Sequence, residues 1–496
     1  MQCVLRKLRF TDYAIQTINM KNWNGTRILI LGAARQGLAL ARWMARHGAR
    51  VTLSDKRTES ELAASRQLLS GLPIEWALGG HPVELLDNAD VLCLSGGVAL
   101  TLPIVAEAIK RGLPLTNDTQ VFMEAMPCRT IGITGSAGKT TTTTLVGLMA
   151  KASFGDHTSQ TTDNANPLSA VRRPSSVYIG GNIGDPLINY VDDMKADDIA
   201  ILEISSFQLE QMTISPNLAV ILNITPNHLD RHGTMAAYTA AKARILDFQN
   251  VSDIAILGRD DTGAWILRNK VKGRLYTFSL HDLDAELNGA YLHDGLLNLR
   301  DGNAYLPLML REKVLLRGDH NVSNILAAFT IGHAAGFTLD AMLEAVEDFH
   351  GVEHRLEFIR ELHGVHWYND SIATAPERAM AAVRAFDEPI VLMLGGRDKD
   401  LPWEDLAALI HERVDHVVLF GEAAEKIEKA VTNSKSGKRT KSVARCSGLH
   451  EAVVKAAEVA ESGDVVLFSP GGTSFDEFID FAERGERFRQ WVQELL

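Results

Sequence analysis

A strand that runs directly into glycines, then a lysine and hydroxyls at the start of a helix, can be built in few ways. Residues 131–142 of this chain spell it out as IGITGSAGKTTT. In an α/β sheet such a loop turns its backbone N–H groups, and the positive end of the following helix, toward one point, which is a place for phosphate. The amides of Gly135, Ser136, Ala137, Gly138 and Lys139 are expected to wrap phosphate oxygens, Lys139 to neutralise β/γ charge, and the hydroxyl of Thr140 or Thr141 to ligate Mg²⁺. The longer form of this loop has a glycine five residues before Gly138; Ile133 stands there, so this is the short T-G-x-x-G-K-T-T form. The alternative, a bare glycine turn with an accidental Lys-Thr, leaves the flanking strand and helix unexplained.

The rest of the chain reads as more of the same architecture. Residues 27–31 are apolar and end at Gly32, a helical stretch follows at 36–47, and an apolar run at 51–53 completes a βαβ opening. Further apolar runs at 91–94, 130–134, 199–204, 220–223, 254–257, 365–368, 390–394, 416–420 and 465–468 alternate with longer helix-patterned segments. That alternation predicts parallel sheets with helices on both faces. At 496 residues the chain is too long for one hydrophobic core, and a prior of roughly 100–200 residues per domain predicts three domains. Joints at 115–130 and 351–357 divide it into residues 1–118, 119–352 and 353–496. Residues 1–19 read as an extension, and 154–176 and 433–442 as polar surface loops.

Composition narrows the ligands. A formal net charge of −12 argues against a general affinity for nucleic acid or anionic membranes and leaves small polar substrates. Cys3, Cys93, Cys128 and Cys446 form no closely spaced pair, so neither a disulfide framework nor a zinc site is expected; they read as reduced thiols of a cytoplasmic enzyme. No run of 18 or more apolar residues is present, so no membrane insertion is expected.

Other clusters carry chemistry. Gly32-Ala-Ala-Arg-Gln-Gly37 has the outline of a dinucleotide fingerprint, but Ala34 occupies the second glycine position and limits backbone approach to a pyrophosphate. It reads either as a site for some other nucleotide or as a tight strand-to-helix turn. Glu203, in LEISSFQLE at 202–210, ends an apolar run, where a carboxylate is costly to bury without a cation; Mg²⁺ or a structural salt bridge would serve. Next come LNITPNHLDRH at 222–232 and YTAAKARI at 238–245, the latter on a predicted helix, where Lys242 by itself reads as a surface lysine. Asp370, in YNDSIAT at 368–374, could cap a following helix.

The order of these motifs resembles the Mur ligases, most closely their D-glutamate-adding branch. The resemblance continues through LRGDHNVSN at 316–324, EHRLE at 353–357, YNDSIAT, LGGRDK at 394–399 and SPGGTSFDEF at 469–478, and spans about residues 27 to 496. It implies a Rossmann-like N-terminal domain, a central P-loop ATPase-type parallel-sheet domain and a C-terminal Rossmann-like α/β domain. It further implies a monomeric cytoplasmic ligase that uses ATP and Mg²⁺ to add glutamate to UDP-N-acetylmuramoyl-L-alanine.

Residue by residue, the resemblance assigns Gly32, Ala34, Arg35, Gln36, Gly37, Asp55, Lys56, Arg57, Ser95 and Asn182 to the UDP-linked substrate, with Asn182 near the transferring phosphate or that substrate. Thr140 and Glu203 would hold one Mg²⁺, and His228 and Lys242 a second. Lys139, Glu203, His228 and Lys242 form the expected catalytic group. An ammonium cannot ligate a cation, and in this family the matching lysine is carbamylated, which makes it an oxygen donor. Carbamylation needs the neutral amine, only about one part in a thousand near pH 7.4 at an unperturbed pKa, so the site must depress that pKa or trap the product. Asn321, Arg355 and Asp370 would join the loop around ATP, Arg355 as a phosphate-binding cation and Asp370 as acceptor from ribose hydroxyls. Thr374, Lys399, Ser474, Phe475 and Phe481 match positions around the glutamate.

Two departures from the family pattern stand out. Gly96 replaces the proline of an S-P-G-V turn at 95–98, which costs rigidity. Ile372 replaces the lysine of N-D-S-K-A-T, so Arg397 or Lys399 is expected to compensate, or glutamate binds differently. The rivals are an L-glutamate-adding variant, folylpolyglutamate synthase, a nicotinamide oxidoreductase and a non-catalytic nucleotide-binding regulator. A folate enzyme has no need of the βαβ domain ahead of the loop, an oxidoreductase leaves the loop idle, and a regulator has no use for Glu203, His228 and Lys242 together.

Overall fold

Strand β1 (Arg27–Leu31) is apolar in four consecutive positions because both of its faces are covered: Ile28, Leu29, Ile30 and Leu31 are all buried. The computed structural model describes residues 22–96, 98–154, 176–434 and 439–496. Around β1, strands β2 (Arg50–Asp55), β3 (Ile74–Leu78), β4 (Val91–Leu94) and β5 (Leu115–Asn117) form an all-parallel sheet in the order β3-β2-β1-β4-β5. The order reverses between β1 and β4, which opens a crevice at their carboxyl ends, where Gly32 and Ser95 lie. Gly37 seats helix Arg35–Arg46 tightly in that turn: a Cβ there would fall 1.9 Å from the Gly32 carbonyl oxygen.

The second sheet comprises β6 (Arg129–Thr134), β7 (Val177–Gly181), β8 (Ile199–Glu203), β9 (Leu218–Ile221), β10 (Ile254–Gly258), β11 (Arg274–Ser279), β12 (Gly289–His293), β13 (Leu296–Asp301) and β14 (Ala304–Leu310). Its order is β14-β13-β12-β11-β10-β9-β6-β8-β7. Because β6 lies between β8 and β9, the glycine-rich loop emerges beside Glu203 on one flank and Asn223 on the other. Complete burial of Ile131, Ile133, Ile201 and Val220, at about 1.5–3 kcal/mol each, fixes this register. Helix Lys139–Phe154 covers one part of the sheet and helix Asp319–Ala335 another, the latter burying Val322, Ile325, Leu326 and Phe329.

The third sheet, β15 (Glu357–Leu362), β16 (Val365–Asn369), β17 (Ile390–Gly395), β18 (His416–Phe420), β19 (Ser442–Arg445) and β20 (Val465–Gly471), has the order β15-β16-β20-β17-β18-β19. It is parallel except for β15, and its two faces bury separate cores. The chain gathers into two compact units, Met1–Glu347 with the first two sheets and Asp348–Leu496 with the third.

Several expectations change. The sheets are not parallel throughout, since β12, β13 and β14 form an antiparallel meander at one edge. The stretch 115–130 carries β5 and helix Asp118–Ala125, whose N-terminus is capped by the Asn117 side chain accepting from Gln120 N–H. Residues 1–19 and most of the loop at 154–176 lie outside the described residues; of 433–442, Asn433 ends helix Ala424–Asn433 and Ser442 begins β19. Among the described residues no helix is long and apolar enough to cross a membrane, and Cys93, Cys128 and Cys446 are buried free thiols.

Candidate functional site

The glycine-rich loop is held from outside. Asn223, two residues beyond β9, accepts from Ala137 N–H through Oδ1 at 2.9 Å, donates through Nδ2 to Ala137 O at 3.1 Å, and accepts from Ser136 N–H through its carbonyl at 3.0 Å. Two of the amides expected around phosphate, those of Ser136 and Ala137, therefore have protein acceptors here. Ser136 Oγ meets the buried Tyr238 hydroxyl at 3.0 Å and donates to Thr225 O. Gly138, at φ +82°, is pressed against Asn324, whose Oδ1 would lie 2.2 Å from any Cβ there. Asn321, expected near ATP, bonds to Asn324 at 3.3 Å and to Arg317 O, so it braces the residue that touches the loop.

Beside the loop, Thr140 Oγ1 donates to Glu203 Oε2 at 2.8 Å, and Asn182 Nδ2 donates to Glu203 Oε1 at 3.0 Å. Asn182 thus belongs with the Glu203 carboxylate in the central sheet. Glu203 is 2 % exposed, so the cost of its charge is met by these donors and by nearby lysines. Lys139 Nζ and Lys242 Nζ both donate to Gly135 O, at 2.9 and 3.0 Å, and Lys242 also reaches Thr134 Oγ1 at 3.3 Å.

The reading of Lys242 as a surface lysine is overturned. It is 1 % exposed, on the inner side of helix Met235–Asp247, and burial together with the charge of Lys139 lowers its pKa to about 7 against the pull of Glu203. Among the described residues no three His, Cys, Asp or Glu side chains are grouped to hold a metal. The donor set here is instead the hydroxyl of Thr140 and the carboxylate of Glu203, hard oxygens of the kind Mg²⁺ takes. His228 is exposed at the N-terminus of helix Leu229–His232, in a left-handed conformation (φ 52°), with its ring edge-on to Phe207 at 5.1 Å.

At the crevice of the first sheet, Gly32 (φ +97°) lies under Ser95, whose Oγ donates to Leu31 O at 2.8 Å. Asp55 is buried and accepts from Ala33 N–H at 2.7 Å and, through both oxygens, from Arg57, which hold its carboxyl well below the usual range. Asp55 and Arg57 therefore shape the turn, while Ala34, Arg35 and Lys56 are exposed around it. Gln36 Nε2 donates to Gly181 O at 2.8 Å, so this residue, expected at the substrate, ties the first sheet to the second.

In the C-terminal unit the expected residues gather at the carboxyl ends of β16, β17 and β20. Asp370 is no helix cap: helix Pro376–Val383 starts six residues later, and Asp370 accepts from Ser469 Oγ at 2.7 Å and Leu356 N–H at 3.3 Å. Burial raises its pKa to about 6. Arg355 is exposed between two left-handed residues, His354 (φ 61°) and Leu356 (φ 43°), a strained setting that the surrounding contacts must hold. Lys399 Nζ lies 3.3 Å from Thr374 Oγ1, Ser474 is buried, and Phe475 and Phe481 are exposed. Arg397, expected with Lys399 to compensate for the absent lysine at 372, is paired with Glu422 at 2.9 and 3.0 Å; Arg378 Nη1 donates to Ile372 O at 3.3 Å.

The least expected residue is Arg484. It is fully buried, donates to Ser371 Oγ at 3.1 Å, Ser371 O at 2.8 Å and Gly472 O at 3.1 Å, and burial lowers its pKa to about 10. It welds the Asp370 loop to the loop after β20. Nothing in the pattern of its helix separates it from Arg487 or Arg489, whereas Asn223 lies within the LNITPNHLDRH motif at 222–232.

Known proteins show the same layout. Family models match three stretches: the Mur ligase MurD-like N-terminal domain at residues 26–117, the Mur ligase middle domain at 133–332, and the Mur ligase glutamate ligase domain at 354–472. The UDP-N-acetylmuramoylalanine–D-glutamate ligase of Symbiobacterium thermophilum is 36 % identical over 95 % of this chain and 98 % of its own length. Its namesake from Acidobacterium capsulatum is 38 % identical over 94 % and 96 %. Among solved structures, UDP-N-acetylmuramate-alanine ligase MurC from Thermotoga maritima aligns with TM-score 0.53 and 20 % identity over 94 % of this chain and 99 % of that one, a likeness of fold.

Proposed function

This chain belongs to the Mur ligase family of ATP-dependent amide-bond-forming enzymes, and on that premise we propose that it adds D-glutamate to UDP-N-acetylmuramoyl-L-alanine. The observation that carries the chemistry is the meeting of Lys139 and Lys242 on the Gly135 carbonyl beside the Thr140–Glu203 pair. Cation, hydroxyl and carboxylate around a phosphate loop suit transfer of the γ-phosphoryl of ATP to the alanyl carboxylate. The neutral glutamate amine attacks the carbonyl of the resulting acyl phosphate, the C–N bond forms, the acyl C–O bond breaks so that inorganic phosphate leaves with the bridging oxygen, and the surplus amine proton passes to solvent.

In this reading Lys139 and the amides from Gly138 onward take the phosphate charge, and Thr140 and Glu203 would hold Mg²⁺, which offsets repulsion between the carboxylate and the triphosphate. Asn182 keeps the Glu203 carboxylate oriented. Lys242 carries the carbamate: its depressed pKa leaves most of the amine neutral near pH 7.4, and its burial keeps water from the product. The crevice at Gly32 and Ser95 receives the nucleotide-sugar, and the Thr374–Lys399 pair receives the glutamate carboxylates. The domains are those of the sequence reading, 1–118, 119–352 and 353–496, and the enzyme acts as a cytoplasmic monomer.

One observation favours a second reading within the same reaction. With Ile372 in place of a lysine and Arg378 bonded to the Ile372 carbonyl, the cations near the glutamate subsite are arranged differently, and L-glutamate differs from D-glutamate only in such an arrangement. Phosphate release with UDP-N-acetylmuramoyl-L-alanine and either enantiomer, each below saturation, tests both. Preference for D-glutamate is the expected result. A tenfold preference for L-glutamate overturns the stereochemistry and leaves the ligase reading intact, and release independent of the nucleotide-sugar overturns both.

A further inference from the structure

The reading above places the nucleotide-sugar at the Gly32 turn and the phosphoryl chemistry in the second sheet, and resting on it, we propose that Arg231 is a positioning residue that clamps the nucleotide-sugar site to the second sheet. Its Nη2 donates to Val98 O at 2.6 Å, from one sheet to the other. Val98 N–H donates to Ser95 O at 2.9 Å, and these two residues roof Gly32: a Cβ on Gly32 would fall 2.2 Å from Ser95 Oγ and 3.6 Å from Val98 Cγ2. Whatever fixes Val98 therefore fixes the roof of the crevice.

Arg231 is well placed to be the fixed end. Its guanidinium carbon stands 3.8 Å from the centroid of the Phe207 ring, and that ring stacks on the His232 imidazole at 5.3 Å and 7°. His232 is in turn held at 2.8 Å by Glu210 Oε1 and at 3.0 Å by Ser206 Oγ. A cation resting on an aromatic face with its planar fork pre-aimed loses little freedom on forming the bond to Val98. The roof gains from such a hold because Gly96, between Ser95 and Val98, has no side chain to restrict its backbone, and a Cβ at Gly96 would meet nothing within 4 Å.

Arg231→Gln removes the cation from the Phe207 face and falls short of Val98 O, and Arg231→Lys keeps the charge and reach without the planar fork. Calorimetric titration of UDP-N-acetylmuramoyl-L-alanine is expected to show affinity at least about fivefold weaker for the Gln variant and intermediate for the Lys variant. Affinity for a non-hydrolysable ATP analogue should stay within about twofold, and in turnover the KM for the nucleotide-sugar should rise while those for ATP and glutamate hold. Adding Gly96→Ala to the Gln variant stiffens the roof where there is room and should recover part of the lost affinity. Unchanged affinity for the nucleotide-sugar in Arg231→Gln, or equal weakening toward both ligands, overturns the clamp. Wild-type protein that does not bind the nucleotide-sugar at all overturns the reading beneath it.

Discussion

Asn223 grips Ala137 at both ends of its residue, accepting from the N–H at 2.9 Å and donating to the C=O at 3.1 Å. A loop whose amides must face phosphate cannot be left to fluctuate, and this side chain supplies order from the neighbouring strand. Ala137 is exposed, so water replaces the lost bonds in Asn223→Ala and the fold survives. The expected outcome is an ATP affinity lower by about tenfold, roughly 1.4 kcal/mol, with little change in melting temperature. Calorimetry with a non-hydrolysable ATP analogue measures it, and unchanged affinity would remove Asn223 from the phosphate loop's support.

Glu203 and Lys139 carry opposite charges on either side of the loop. Lys139→Ala and Glu203→Ala are each expected to lose at least ~100-fold in the rate of phosphate release, because each removes charge stabilisation from phosphoryl transfer. Glu203→Gln separates charge from shape and should lose nearly as much. Turnover close to wild type in any of the three sinks the assignment.

For Lys242 the expectation is near-complete loss of activity in Lys242→Ala, with partial rescue by acetate, whose carboxylate can stand where the carbamate oxygens would. A carbamate carbon signal after exchange into labelled bicarbonate should be present in the wild type and missing from the variant. An active, Mg²⁺-bound enzyme whose density shows a bare ammonium would contradict it.

Asp370 sets a pH dependence. Burial lifts its pKa from 3.8 to about 6, so the folded chain holds a proton that the unfolded chain gives up between those values. The stability this proton contributes is full below pH ~4, at most about 3 kcal/mol, and is lost as pH rises through ~6. Asp370→Asn is neutral throughout. Denaturant unfolding of the two proteins between pH 4 and 7 should therefore diverge, with only the wild type carrying this loss, and parallel curves would show that Asp370 is ionised across the range.

How much of this could be read in advance depends on what each feature is made of. The buried parallel strands announce themselves because burial on both faces forces runs such as ILIL at 28–31. The meander of β12, β13 and β14 was missed because its strands are broken by Asn298, Arg300 and Pro307, although Asp294-Gly295 and Asp301-Gly302 are hairpin-turn signals. Thr140, Glu203 and Lys139 were legible since their positions follow from the ends of adjacent strands. Lys242 was not, because the alanines around it give its helix no clear inner face, and only packing against Tyr238 and the loop decides which way it points. Gln36 and Asp55, expected at a ligand, also hold backbone, and no one-dimensional pattern contains that second task.

The buried guanidinium of Arg484 gives the molecule an order of completion in time. The loop at Ser371 is fastened by a side chain that the ribosome adds 113 residues later. At about 5–20 residues per second that is a delay of roughly 6 to 23 s, in which β17 to β20 are themselves still being made and the turn at Ser371 has no anchor. The turn at Ser371 is therefore fastened only long after the glycine-rich loop at 135–139 has been made, and the third sheet is the last part of the molecule to be completed.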